Sequence, residues 1–87
     1  MNRTAQDIVS GCTYYSPMTF WSKGWSDRMN GYQQTDDYAG KEDWEELPSF
    51  TNMAISDYTT GWNMADEEIR SLWAKRAEAS FSILSYP

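Results

Sequence analysis

Residues 51–84 read TNMAISDYTTGWNMADEEIRSLWAKRAEASFSIL, a stretch without proline. Ile55, Tyr58, Trp62, Ala65, Ile69, Leu72, Ala79 and Ile83 recur in it with a heptad-like rhythm, and Arg76 breaks the series. Spacing of this kind puts the apolar residues on one stripe of a helix. Asp66, Glu67, Glu68, Arg70, Lys75 and Glu78 fall on the opposite, polar face. A long helical segment is therefore expected over most of residues 52–83. Gly61 interrupts the pattern, and Asp57, Thr59 and Thr60 beside it are weak helix formers. One bent helix or two consecutive helices are both compatible with that interruption.

Upstream, Ser16-Pro17 is a helix start, because Ser caps orphan amides and Pro suits the first helical position. A helix over about 17–30 would stop at Gly31, where a left-handed residue closes the last turn. Met18, Trp21, Trp25 and Met29 recur within it at helical spacing and mark its apolar stripe. Gly24 costs such a helix about 1 kcal/mol relative to Ala. A mid-helix glycine usually signals something packed closely against the backbone. A shorter helix over residues 4–11 is expected from Thr4 as cap, Asp7 three residues later and Gly11 as stop. No stretch alternates as a strand would. The fold class is all-α: a small helical hairpin or bundle forming one domain over residues 1–87.

Residues 31–50 form the connector. It holds Gly31, Gly40, Pro48 and the acids Asp36, Asp37, Glu42, Asp43, Glu45 and Glu46, offset only by Lys41. Tyr32, Tyr38, Trp44, Leu47 and Phe50 are interleaved with the acids. A short helical turn near 41–46, held down by Trp44 and Leu47, is expected.

A local pattern occurs twice. Trp21-Ser-Lys-Gly24-Trp25 matches Tyr58-Thr-Thr-Gly61-Trp62 as aromatic-x-x-Gly-Trp. Two helices crossing at their glycines explain it, with each flanking aromatic covering the other helix; Trp25 and Trp62 are then expected to be buried. Gly24-Trp25 is followed by Gly31, and Tyr58-Thr-Thr-Gly61-Trp62-Asn-Met-Ala65 follows the connector. Over about residues 20–66 this resembles the ribosome modulation factor family of short helix–linker–helix proteins from bacteria and phages. The resemblance implies a helical scaffold and a ribosome-associated role. The chain departs from the family in its longer connector, which lacks Cys-Pro-Tyr, and in its charge.

That charge is −6, from thirteen acids against seven bases. It opposes non-specific binding to nucleic acid, which needs Lys and Arg to neutralise phosphates, and binding to an anionic membrane. A basic protein surface is attracted instead. The five Trp, six Tyr and three Phe supply large side chains for a small core and anchors for an interface. One cysteine, Cys12, and no histidine predict a reduced, cytoplasmic protein without disulfides.

Without histidine, a Ser-His-Asp or Cys-His nucleophile cannot be assembled. Cys12 reads as a small packed hydrophobe. The connector acids lack the spacing of a calcium loop. No enzyme activity, cofactor or metal is expected. The function expected is that of a non-enzymatic binding protein, a phage-encoded inhibitor or adaptor of the anti-restriction or anti-CRISPR type. It would mimic a phosphate backbone and engage a host complex with a basic nucleic-acid-binding surface, without touching nucleic acid itself. Tyr32, Asp36, Asp37, Tyr38, Glu42, Asp43, Trp44, Glu45 and Glu46 are the candidate partner-binding residues. Trp21, Gly24, Trp25, Tyr58, Gly61 and Trp62 are the candidate helix-crossing residues. The alternative is the ribosome-associated role that the resemblance implies. Self-association is left open.

Overall fold

The computed structural model describes residues 3–34 and 47–85, with side chains through Glu78. It contains three helices, α1 (Ala5–Val9), α2 (Pro17–Met29) and α3 (Thr51–Ser85), and no strand among the described residues. The expected turn near 41–46 lies outside the described residues.

Local chemistry sets the ends of the first two helices. Thr4 accepts from the Asp7 amide at 3.2 Å and its own amide donates to the Asp7 carboxylate at 3.1 Å, a reciprocal capping box. α1 is shorter than expected, ending at Val9, and Gly11 follows with φ +77°. α2 begins at Pro17, but the Ser16 side chain makes no capping hydrogen bond; proline's fixed φ and missing N–H account for this start. Its far end closes as a Schellman motif. The Tyr32 amide donates to Asp27 O at 2.8 Å and the Gly31 amide to Arg28 O at 3.1 Å, with Gly31 at φ +83°. α3 continues through Gly61 without a break.

Phe20, Tyr58 and Ile8 are the largest fully buried side chains, joined by Ala5, Val9, Phe50, Ala54 and Ile55. The Phe20 ring lies 5.9 Å from Phe50 and stacks on Tyr15 at 6.1 Å. The face that α2 buries is therefore Phe20 and Gly24, not the stripe read from sequence. Met18 is 70% exposed, and Met29 is also exposed. The reason is the glycine. The close approach at Gly24 fixes which side of α2 meets α3, and Phe20, one turn earlier on that side, enters the core.

The two glycines meet the opposite helix reciprocally. A Cβ on Gly24 would overlap the Tyr58 carbonyl oxygen and lie 2.8 Å from the Trp62 nitrogen. A Cβ on Gly61 would overlap the Trp21 carbonyl oxygen and lie 2.8 Å from its carbon. Each glycine thus faces the aromatic residue three positions before the other glycine. The repeated motif is the two halves of one crossing.

On either side of the crossing, contacts advance in the same direction along both helices. Phe20 meets Phe50, Gly24 meets Tyr58 and Trp62, and Arg28 reaches Asp66. Helices paired in this sense need a long return between them, where antiparallel neighbours would need only a few residues. The length of the 31–50 connector follows. α3 also outruns its support: from Asp66 to Ser85 it extends about 28 Å at 1.5 Å per residue.

Candidate binding surface

Asp36, Asp37, Tyr38, Glu42, Asp43, Trp44, Glu45 and Glu46 lie outside the described residues. Tyr32 is described and is engaged internally. The Arg3 guanidinium sits 4.4 Å from the centre of its ring, and its carbonyl accepts from Trp62 Nε1 at 2.9 Å. It ties the end of α2 to α3.

The crossing residues come together as the repeat implies, with one correction. Trp25 and Trp62 are half-buried, not buried. They sit at the edge of the crossing, where the close backbone approach leaves no room between the helices for an indole. Trp25 stacks on Trp21 with ring centres 5.1 Å apart. Trp62 lies under Arg28 at 5.5 Å. Tyr58, the counterpart of Trp21, is only 1% exposed because α1 and the Phe20 cluster cover its side of the pair.

Arg3, Lys23 and Arg28 tie the elements together, whereas Arg70 pairs within α3 with its side chain 74% exposed, and Lys75 and Arg76 are exposed. Arg3 donates through Nε to Asp27 at 2.9 Å. Arg28 and Arg70 both donate to Asp66, at 2.9 and 2.8 Å. Lys23 Nζ donates to Ile8 O at 2.9 Å and approaches Cys12 Sγ at 3.4 Å, while its ammonium lies over the Phe20 ring. Cys12 itself packs against the core as a partly buried side chain. Glu67, Glu68 and Glu78 on α3 are exposed as well. Exposed acids and bases are thus interspersed along α3, and most of the negative excess of the chain lies in the connector.

Hydrogen bonds from Arg28 and Arg70 hold the Asp66 carboxyl below its usual value of 3.8. A carboxylate with a depressed native pKa contributes stability above its unfolded value and loses it as pH falls through the native one. Asp66→Asn should therefore lower the melting temperature slightly at pH 6, the difference from wild type shrinking below about pH 4. Thermal melts of both proteins between pH 2 and pH 7 check this; a difference independent of pH would assign the effect to packing.

Two exposed residues of α3 add an apolar feature to this surface. Leu72 is 54% and Trp73 60% exposed, beyond the reach of α2. Leu72 was on the stripe read from sequence, and Trp73, adjacent to it, was not. The signal that could have found Trp73 is length, since a 13-residue α2 cannot cover a 35-residue α3. Among the described residues no group of three or more Cys, Asp or Glu is placed to hold a metal, and no helix is long and apolar enough to cross a membrane. No protein-family model, curated protein or solved structure matches this chain.

Proposed function

We propose that the protein is a small non-enzymatic binding module that presents acids to the basic, nucleic-acid-binding face of a host complex. It would serve as a phage-encoded inhibitor or adaptor of the anti-restriction or anti-CRISPR type. The observation that carries this reading is the concentration of acids in the connector, six of them offset only by Lys41. Arg3, Lys23 and Arg28 are meanwhile engaged in holding the scaffold together, which leaves Arg70, Lys75 and Arg76 exposed beside Glu67, Glu68 and Glu78 on α3. A surface of one charge sign attracts an oppositely charged partner at long range and raises its association rate.

Charge reversal at Asp36, Asp37, Glu42 and Asp43 is expected to abolish partner binding with the fold intact, the association rate falling first. Wild-type binding should weaken as salt rises, because exposed charges are screened within about 10 Å at 0.1 M ionic strength. The ribosome-associated reading is supported by the Gly-Trp motifs and needs the bases instead: Lys23, Arg28, Arg70, Lys75 and Arg76. Sedimentation of a bacterial lysate through sucrose separates the two. Co-migration with ribosomal particles that survives acid reversal but not base removal would overturn the acidic reading.

A further inference from the structure

The face of α3 that α2 covers up to Asp66 continues along the same stripe and lies open. Ile69, Leu72, Trp73 and Arg76 follow at i, i+3, i+4 and i+7. Together with Lys75 they line a hollow of about 450 Å³ on the helix surface. Four residues in that spacing form the diamond into which a side chain of a facing helix inserts. The hollow thus continues the face of α3 on which α2 packs.

We propose that a second copy of this chain occupies it, with its α3 crossing antiparallel at Leu72. Charge selects this occupant. Glu67 and Glu68 lie before the hollow, and Lys75 and Arg76 lie at its far end. A two-fold axis near Leu72 brings Glu68 of each copy opposite Lys75 of the other, so that the acidic end of one segment meets the basic end of the next. A parallel copy would set Arg76 against Arg76. Isologous pairing also makes the contact close at two copies, since the same patch serves both. Leu72 of each chain fills the diamond of the other, and Trp73 supplies the aromatic anchor such interfaces favour.

This inference is independent of the acidic-connector reading, because its readout uses the purified full chain alone. Sedimentation equilibrium over a wide concentration range should show a monomer–dimer equilibrium. Leu72→Glu should raise the dimer dissociation constant by about tenfold or more. Because Leu72 is largely exposed in one chain, its helical circular dichroism should be unchanged where wild type is monomeric. Glu68→Lys and Lys75→Glu should each weaken the dimer, and the two together should restore it. A chain that stays monomeric at every concentration overturns the proposal and assigns the face to a different protein. A dimer indifferent to Leu72→Glu overturns the surface. A double variant no better than the single ones overturns the antiparallel pairing.

Discussion

Gly61→Leu is expected to abolish the native fold. Even alanine at this position would drive a Cβ into the Trp21 carbonyl, and the next nearest atoms are also backbone, at 2.8 and 3.1 Å. No side-chain rotamer can relieve such a clash; the helices must separate. Overpacking a well-filled core costs about 1–3 kcal/mol, occasionally more. Overlap with backbone at the most extensive helix–helix contact among the described residues puts this case at or beyond the upper end. A domain of this size has stability on the order of 0.05–0.15 kcal/mol per residue, so one such loss removes a large part of it. Gly24→Leu should behave alike, since its Cβ would strike the Tyr58 carbonyl. Gly11 and Gly31 provide the contrast. Nothing lies within 4 Å of a Cβ there, and only their positive φ resists substitution. Alanine at either should cost about 1–2 kcal/mol. Urea denaturation of all four variants measures the difference. An unchanged midpoint for Gly61→Leu would mean that the close approach does not exist.

The second large effect is expected at Asp27. Its carboxylate accepts from Arg3 Nε at 2.9 Å, from Arg3 Nη2 at 3.2 Å and from the Tyr58 hydroxyl at 2.6 Å. It therefore joins the residues before α1, the last turn of α2 and the N-terminal part of α3. Burial and the bond to Asp27 push the Tyr58 phenol well above its ordinary range, so it stays a neutral donor. Asp27→Ala leaves that hydroxyl without an acceptor. Losing a hydrogen bond to a charged group and stranding its buried donor costs about 2–3 kcal/mol. Tyr58→Phe deletes the donor instead and leaves Asp27 its arginine, so about 1 kcal/mol should be lost. Urea denaturation midpoints test the order. If Tyr58→Phe costs as much as Asp27→Ala, the ring's surroundings matter more than the network.

Much of the scaffold was legible in the residues themselves. The 3-4 rhythm from Ile55 onward and the absence of proline suffice for α3, and Pro17 with Gly31 brackets α2. The glycine crossing was readable because a helix tolerates mid-length glycine only for a reason, and the same reason appeared twice. Phe20 was missed because the Met18, Trp21, Trp25 and Met29 series is equally periodic. Periodicity alone cannot say which of two apolar faces will be covered; Gly24 decides it by admitting backbone contact on one side. The sense in which α2 and α3 run was illegible for a related reason, since it depends on which ends meet. The sign of the charge was legible, but the pairings inside the scaffold were not. Composition gives an excess of acids, whereas the pairing of Arg3, Arg28 and Arg70 with Asp27 and Asp66 joins residues too far apart in sequence for periodicity to link, Arg70–Asp66 excepted.

The crossing also determines how this molecule can come apart. Gly24 and Tyr58 are joined across the whole connector, as are Gly61 and Trp21. The chain must close that loop before either contact forms, and closure entropy opposes it. The two shorter helices have little independent standing in the meantime. α1 has five residues and α2 thirteen, lengths at which isolated helices are marginal in water. The core likewise draws on α1, α2 and α3 together, so no fragment retains a hydrophobic interior when another is withdrawn. α1, α2 and the part of α3 up to Asp66 accordingly form a single cooperative unit. A nick in the connector would convert that unit into a two-piece complex whose persistence depends on concentration.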